Sequence, residues 1–444
     1  MPGTDVQSGY PGCTSDGVMY TLLLGFFKKR IREEDRMGNR ELLEKRIQEL
    51  RSQSLSLDLT RGKPSPEQLD LSVGMLEVVD ADSFKSNGGI DTRNYGGLDG
   101  LDEAKQLFGD YLGVQQDEVI IGGNSSLALM HDTLSQLTTH GTAENGKPWF
   151  GQKVRFLCPV PGYDRHFTLC RRFGIEMITV SMNEEGPDVG AIEKLVAEDP
   201  TIKGMWCTPR YSNPTGYTCS KEVVERLASI KTESEDFVIL WDDAYAVHHI
   251  GEGPEPLESL LDACKRAGNP ERVIMFGSTS KISFAGAGIA MTGGSVKTCD
   301  WLRQRLFAQT IGNDKINMLR HVLFFQNMDG ILQHMKKQAE IVAPKFAAVE
   351  QGLSQELGGK QVATWTKPKG GYFVSLDTPD GCASEVISMA ADLGVKLTPA
   401  GSTFPLKKDP KDNNIRIAPT FPSLADVQKA VEVLALSILY VAGK

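Results

Sequence analysis

The sequence predicts an α/β protein with a large three-layer αβα domain around a mainly parallel sheet, and a smaller α+β domain. Short apolar runs recur along the chain with helical segments between them; three such runs are Ile202 to Cys207, Val238 to Trp241 and Arg272 to Phe276. Strands that alternate with helices form parallel sheets covered on both faces. A long helical segment, Ile331 to Leu357, and a hairpin, Thr364 to Leu376, predict the smaller domain.

The remaining elements follow from the same patterns of apolar spacing. Apolar runs predict strands at Val119–Ile121, Val154–Cys158 and Ile289–Thr292, the last of them antiparallel. Helical spacing predicts helices at Arg32–Gln53, Leu101–Leu112, Ser295–Phe307 and Ser423–Leu439. We expect a disordered or loosely docked arm at 1–30, a segment of the small domain at 31–90, the large domain at 91–320 and the C-terminal small domain at 321–444.

Composition excludes several classes of protein. The chain has 444 residues, 40% of them hydrophobic and 24% charged, and a net charge of −9, which argues against a nucleic-acid partner. Its eight cysteines are scattered, so we expect no zinc site or other metal site, no disulfide framework, and a reducing, cytoplasmic setting. The apolar run Val18 to Phe27 is shorter than the roughly 18 residues of a membrane span.

Chemistry is indicated first by Lys281, which follows a predicted strand in Ser278-Thr279-Ser280-Lys281. A lysine among small residues at a strand end can be desolvated, and a lowered pKa then lets its amine attack a carbonyl. Most lysines are solvated surface charges, so this stretch alone is a weak signal.

Two other strand ends carry polar motifs. Asn213-Pro214-Thr215-Gly216 follows one predicted strand, and Asp242-Asp243-Ala244-Tyr245 follows another. In an open α/β sheet, ligands bind beyond the carboxyl ends of the strands. Asp242 and Asp243 point to opposite faces of their strand, so only one of them can face a ligand.

Together these motifs resemble the fold-type-I, pyridoxal-phosphate-dependent aminotransferases of class I/II. The resemblance runs from about Leu57 to the C-terminus, and it includes Arg416 in Asn414-Ile-Arg-Ile-Ala-Pro. The chain is most similar to the divergent branch of bacterial-type aspartate aminotransferases. The resemblance implies pyridoxal 5′-phosphate as cofactor and a homodimer with shared active sites. From charge and the lengths of the apolar runs we expect no nucleic-acid and no membrane partner.

The resemblance also implies a role for each matching residue. Lys281 would form the internal aldimine and shuttle the proton, and Asp242 would pair with the pyridine nitrogen. Asn213 and Tyr245 would bind the phenolic oxygen of the cofactor. Arg416 would hold the substrate carboxylate, because a guanidinium matches a carboxylate bidentately.

Further matches surround the expected cofactor and substrate. The phosphate is assigned to Ser278, Ser280 and the turn Gly123-Asn124-Ser125 before a helix, where free N–H groups favour an anion; an ordinary serine-capped turn is the alternative. Tyr163 would stack on the cofactor ring, although an aromatic residue after a strand is more often core. Tyr95 would reach the phosphate of the neighbouring subunit, or else pack in its own loop. Gly62 would border the substrate.

One departure from the family pattern concerns the phosphate. The family usually carries an arginine about eight residues after the lysine, whereas this chain has Gly288-Ile289 there and no arginine before Arg303. Hydroxyls, amides and a helix start would hold the phosphate, or a basic residue from elsewhere would replace the arginine.

The expected function is amino transfer between an amino acid, with aspartate or glutamate first, and a 2-oxo acid, with 2-oxoglutarate first. A dicarboxylate needs a second cation in the pocket; the candidates are Arg61, Lys63, Arg93, Arg210 and Lys315. Alternatives are a broad-specificity, aromatic or alanine aminotransferase, or a lyase with the same cofactor. A cofactor-sensing regulator is less favoured, because the residues before the fold lack a helix-turn-helix pattern.

Overall fold

The computed structural model describes residues 40–251 and 253–443. Contacts divide the chain into 1–55 and 56–444, and the first unit is described here only by its helix α1 at 40–52. The predicted arm at 1–30 lies outside the described residues, and the predicted boundaries after residues 90 and 320 stay predictions.

The strands of the second unit are, in chain order, β1 (Leu57–Asp58), β2 (Val119–Ile121), β3 (Arg155–Val160), β4 (Glu176–Asn183), β5 (Gly186–Pro187), β6 (Ile202–Cys207), β7 (Val238–Asp242), β8 (Val273–Ser278), β9 (Ala290–Gly293), β10 (Thr364–Trp365), β11 (Val374–Asp377), β12 (Val395–Lys396) and β13 (Asn414–Ile417). Its helices are α2 (Pro66–Asp70), α3 (Asp102–Leu112), α4 (Ser126–His140), α5 (Asp164–Arg172), α6 (Val189–Glu198), α7 (Lys221–Ser229), α8 (Leu260–Arg266), α9 (Val296–Leu306), α10 (Lys315–Phe325), α11 (Met328–Leu357), α12 (Ala383–Asp392) and α13 (Leu424–Ala442).

An eight-stranded sheet in the order β2-β9-β8-β7-β6-β3-β4-β5 forms the centre of the second unit. Strands β8, β7, β6, β3 and β4 run parallel, and β9 pairs antiparallel with β8 and β2. All five residues of β7 are buried, as expected for a strand covered on both faces. This sheet confirms the predicted α/β class and the antiparallel strand after Lys281.

Apolar cores lie on both faces of the sheet. Ile239 and Trp241 of β7 belong to one core, whereas Val238 and Leu240 belong to the other, as strand alternation requires. Side-chain caps help to define the surrounding helices; Ser220, for example, accepts a hydrogen bond from the Val223 amide at the start of α7.

The smaller sheets join distant parts of the chain. Strands β10, β11 and β13 form an antiparallel sheet, which confirms the predicted hairpin, and β1 pairs in parallel with β12. Helix α11 packs against α13 beside them. The part of the chain that is described has no helix both long and apolar enough to span a membrane.

Candidate active site

A cavity of about 530 Å³ lies beyond the carboxyl ends of the central strands. Strands β8, β7, β6 and β3 are neighbours in the sheet, so the loops that follow them meet at one edge. These loops and the smaller sheets bring many of the predicted residues to the cavity, which is lined by Gly62, Tyr163, Asn213, Tyr245, Lys281 and Arg416 among others.

Lys281 follows β8 in a turn that directs its amine toward aromatic rings. Its Nζ lies 5.2 Å from the ring centroid of Tyr245 and 5.8 Å from that of Tyr372. Burial lowers the pKa of Lys281, and the Asp242 carboxylate opposes that shift. A desolvated lysine whose amine loses its proton more readily is suited to attack a carbonyl.

Asp242 is the last residue of β7 and is 2% exposed. Its Oδ2 lies 3.0 Å from Nε2 of His166, and the His166 ring stacks on Trp206 with centroids 4.3 Å apart. Its Oδ1 is buried and has no hydrogen-bond partner among the described residues. An unpaired buried carboxylate oxygen is costly, so this atom is suited to a donor on a bound group.

Asp243 occupies the other face of the strand. Side chains alternate along a strand, so Asp242 points to the same face as Val238 and Leu240, where His166 lies. Asp243 therefore points to the face of Ile239 and Trp241. Burial raises the pKa of Asp243 to about 6, although the Arg210 guanidinium lowers it. The Asp242 charge also raises the pKa of Asp243, so the two carboxylates interact although they face different groups. Each keeps a buried Oδ1 without a partner among the described residues.

Tyr163, Tyr245 and Asn213 complete the wall near Lys281. Tyr163 immediately precedes α5 and meets the His166 ring edge-on at 5.0 Å between centroids. Tyr245 is 3% exposed, and burial raises the pKa of its phenol well above the usual value. The Asn213 Oδ1 accepts a hydrogen bond of 3.3 Å from Arg416, which links the cavity's two sides.

Arg416 lies on β13 and is 9% exposed. Its hydrogen bonds to the described residues are long, with Asp164 Oδ1 at 3.4 Å and Thr398 Oγ1 at 3.3 Å besides that with Asn213. The guanidinium also lies 4.9 Å from the Phe373 ring centroid. Its buried Nε has no partner among the described residues. This guanidinium therefore keeps donors for a further carboxylate.

The predicted phosphate residues lie next to the lysine turn, outside the set that lines the cavity. Helix α4 begins at Ser126 after Ser125, while Gly123 and Asn124 are exposed. The Ser280 hydroxyl donates to the Asn124 carbonyl at 3.2 Å, so the two segments are joined. Ser278 is buried at the end of β8.

Arg320 on α10 is the cation that the sequence analysis missed beside this loop. Its Nη2 donates to the Ala287 carbonyl at 3.4 Å and also contacts Asn317 Oδ1. The adjacent Gly286 carbonyl accepts a hydrogen bond of 3.1 Å from the Asn124 side chain. Arg320 therefore bonds to the residue next to Gly286, and Gly286 itself contacts Asn124 of the predicted phosphate turn.

The structure also sorts the candidates for a second cation. Arg61 lines the cavity. The other candidates have different contacts: Lys63 lies over the Phe421 ring at 3.9 Å, Arg93 pairs with Asp91 at 2.6 Å, Arg210 donates to the Ala246 carbonyl at 2.7 Å, and Lys315 donates to the Gly96 carbonyl at 2.5 Å. Three cations that the sequence analysis did not propose also line the cavity: Arg165, Arg171 and Lys407.

His166, Arg165 and Arg171 were missed because they come from α5, which the sequence analysis did not assign. The sequence Tyr163-Asp164-Arg165-His166 places His166 on the first helical turn after the predicted aromatic residue. The position of His166, three residues after Tyr163, could have suggested that its ring faces the sheet. The sequence did not identify Asp242 as its partner.

Comparisons with known proteins agree with this geometry. The family model for aspartate aminotransferases matches residues 34–444. A Mycolicibacterium smegmatis protein that is named as an aminotransferase is 49% identical over 413 residues, which cover 92% of this chain and 96% of that protein. The aspartate aminotransferase of Corynebacterium glutamicum is 43% identical over 406 residues, which cover 91% of this chain and 94% of that protein.

A solved structure supports the same relation. The crystal structure of an aspartate transaminase from Corynebacterium glutamicum superposes with a TM-score of 0.90 at 42% identity, covering 92% of this chain and 97% of that chain. This match confirms the predicted fold. The chain belongs to the aspartate aminotransferase family.

Proposed function

We propose that this chain is a pyridoxal-phosphate-dependent aminotransferase that moves an amino group between aspartate or glutamate and a 2-oxo acid, with 2-oxoglutarate as the acceptor. The observation that carries the proposal is a single cavity lined by a desolvated lysine, Lys281, and a buried arginine, Arg416, with the Asp242 carboxylate behind it. A lysine and an arginine together can hold a carbonyl-bearing cofactor and a carboxylate substrate.

The cofactor is pyridoxal 5′-phosphate, and the residues present fit it. The unpaired Oδ1 of Asp242 suits a pyridinium N–H, and the start of α4 suits a phosphate. Ser278, Ser280 and the turn from Gly123 to Ser125 would hold that phosphate. Arg320 bonds to the Ala287 carbonyl, next to the Gly286 carbonyl that the Asn124 side chain contacts, and would supply a further cation near the phosphate.

When bound, pyridoxal phosphate withdraws electrons from the substrate Cα and so makes its proton acidic. Lys281 would hold the cofactor, and its free amine would accept the Cα proton. Asp242 would keep a proton on the pyridine nitrogen, and His166 would orient that carboxylate. Asn213 and Tyr245 would bind the phenolic oxygen, and Tyr163 would pack on the ring.

Arg416 orients the substrate through its α-carboxylate. Replacing Arg416 with lysine should lower kcat/KM for amino acids by about 10- to 100-fold, because hydrogen bonds to a charged group contribute about 1.5–3 kcal/mol and lysine lacks the planar fork. Steady-state kinetics measures the effect, with the cofactor absorbance as the control for an intact site. A value within twofold of the wild type would contradict this role.

Dicarboxylate preference is supported by the charges around the cavity. Besides Lys281 and Arg416 it is lined by Arg61, Arg165, Arg171 and Lys407, and the acid in the lining is Asp164. None of these four cations forms an ion pair with a residue in the described ranges. They are available to a second substrate carboxylate.

Aspartate should therefore exceed both alanine and phenylalanine in kcat/KM by well over tenfold, because its second carboxylate can accept charge-assisted hydrogen bonds from these cations, worth about 1.5–3 kcal/mol, and the monocarboxylates cannot. Half-reactions followed by cofactor absorbance, with 2-oxoglutarate to regenerate the enzyme, measure the ratio. Comparable values for the three amino acids would contradict the dicarboxylate proposal and leave a broad-specificity aminotransferase.

A homodimer with shared sites is part of the proposal. Tyr95 is 80% exposed, and the apolar residues Phe307 and Ile311 are 79% and 62% exposed. Their loops meet, since a Cβ on Gly312 would lie 2.6 Å from the Gly96 carbonyl oxygen. An exposed apolar surface of this kind suits a second copy.

We expect a dimer in sedimentation equilibrium, and weaker retention of the cofactor in Tyr95→Phe. The loss follows if the hydroxyl binds the phosphate of the neighbouring subunit. Equilibrium dialysis of the cofactor measures it. An active monomer, or unchanged cofactor affinity, would contradict the shared site.

A further inference from the structure

A buried polar network surrounds the turn that carries Lys281. The Tyr372 hydroxyl donates to the Lys281 carbonyl at 3.4 Å, and Nε2 of His248 donates to the same oxygen at 3.3 Å. Nε2 of His334 donates to the next carbonyl, that of Ile282, at 2.8 Å. Two consecutive carbonyls of the lysine turn are thus bound by side chains from other elements.

Two buried glutamines lie behind these contacts, and each satisfies the other. Nε2 of Gln68 donates to Gln338 Oε1 at 2.7 Å and to the Tyr372 hydroxyl at 3.1 Å. Nε2 of Gln338 donates to the Gln68 carbonyl at 3.2 Å and to the Ile282 carbonyl at 3.1 Å. The Gln68 Oε1 accepts from the Ser65 amide at 3.0 Å. Gln68, Gln338 and Tyr372 are each at most 2% exposed.

Burying these polar groups costs desolvation free energy that an apolar core would avoid, so the network is expected to serve a geometric purpose. Buried amides must be fully satisfied to avoid a desolvation cost, and fully satisfied networks fix one arrangement of the groups they join. Apolar side chains would fill the same space without that requirement. The bonds here end on the backbone that places the Lys281 side chain.

The network also touches the wall of the cavity. Gly62 and Phe373 both line the cavity, and a Cβ on Gly62 would lie 2.5 Å from the Phe373 ring. Tyr372 is next to Phe373 in the chain, and Gln68 lies in α2, a few residues after Gly62. The segments that line the cavity through Gly62 and Phe373 thus also carry the side chains that bond toward the lysine turn.

We infer that Tyr372, Gln68 and Gln338 are positioning residues for Lys281, which hold its amine in place and couple it to the wall formed by Gly62 and Phe373. This inference rests on the proposed function, because it takes Lys281 as the reactive lysine. The network holds the backbone carbonyls and so limits where Nζ can lie; a displacement of about 1 Å at a reacting group can cost about 100-fold in rate.

The test uses the holoenzyme and the variants Tyr372→Phe, Gln338→Met and their combination. Tyr372→Phe keeps the ring and removes one hydroxyl, so it keeps the test usable if Gln338→Met folds poorly. Tyr211→Phe is the matched control, because Tyr211 is equally buried and its hydroxyl bonds to His249 Nδ1 at 2.8 Å and to the Glu255 amide at 3.1 Å, not to the carbonyls of the lysine turn. The phenylalanine ring keeps the packing of Tyr211 on Gly370 and Gly371. Thermal unfolding is measured for every variant.

Each single variant should lower kcat by about tenfold or more while KM for the amino acid changes by less than twofold. The pH midpoint of the lysine–cofactor absorbance should rise by roughly half a unit, because a loosely held nitrogen is better hydrated and keeps its proton to higher pH. The double variant should resemble the single ones, because both break one chain of bonds.

A purely structural network would lower the melting temperature as Tyr211→Phe does and leave the absorbance midpoint and kcat unchanged, which would overturn the inference. Additive losses in the double variant would also overturn it. Borohydride reduction of the wild type separates the two proposals. Label on a lysine other than Lys281 overturns both, whereas label on Lys281 with an unshifted midpoint overturns only this one.

Discussion

Replacing Lys281 with alanine should reduce transamination by on the order of 10⁶-fold, the scale seen when an enzyme loses its covalent nucleophile. Lys281 is placed for this role by the end of β8, and burial lowers the pKa of its amine. On the proposed assignment, removing that amine would remove both the covalent attachment of the cofactor and the group that accepts the Cα proton.

Lys63→Ala is the control for this variant. Lys63 is close in sequence to the cavity residue Gly62, but its ammonium lies 3.9 Å from the Phe421 ring centroid. We expect this control to keep the wild-type turnover and absorbance. Borohydride reduction of the wild type, followed by peptide mapping, should place the cofactor on Lys281. A modified peptide from any other lysine would contradict the assignment of the whole site.

Replacing Asp242 with asparagine should lower kcat by on the order of 10³-fold, the effect of removing a main electrostatic contact in an active site. The Asp242 carboxylate has one oxygen near His166 and one buried oxygen without a described partner. An amide of the same shape cannot keep a proton on the pyridine nitrogen, so the fold should survive while catalysis is lost.

Asp243→Asn is the matched control, because it makes the same change one residue along the strand. Asp243 faces the opposite side of the sheet, and burial raises its pKa to about 6, so its neutral form is accessible and an amide imitates it. We expect a loss of less than about tenfold in kcat. Circular dichroism checks that both variants are folded. A larger loss in Asp243→Asn than in Asp242→Asn would show that the facing of the strand is assigned wrongly.

The α/β class and the meeting of several site residues could be predicted because parallel strands have a directional geometry. Asn213, Asp242 and Lys281 each follow an apolar strand, and neighbouring parallel strands end at one edge of the sheet. Their meeting at one edge therefore follows from the shared direction of the strands, and the structure adds that the three strands are neighbours. Arg416 was predicted from its motif, and the structure places it at the same cavity from the smaller antiparallel sheet.

The choice of the second cation could not be made in the same way. Lys63 and Arg61 are two residues apart, and only the packing of Phe421 against the Lys63 ammonium separates them. Arg165 and Arg171 lie on α5, which reaches the cavity because Tyr163 ends the loop after β3. Long charged side chains follow local packing, and a sequence carries little trace of it.

The sequence by itself predicted the α/β class, the lysine of the candidate site and the polar residues at the strand ends, because these depend on local apolar patterning and on the direction of parallel strands. The order of the strands in the sheet came from the structure. Only the tertiary structure decided that His166 meets Asp242, that Arg320 approaches the loop joined to Asn124, and that Gln338 donates to the Ile282 carbonyl next to Lys281. These contacts join segments far apart in the chain, and each depends on how a helix packs against the sheet. Hydrophobic periodicity shows which face of a helix is buried, but it does not show which residues of the sheet that face meets.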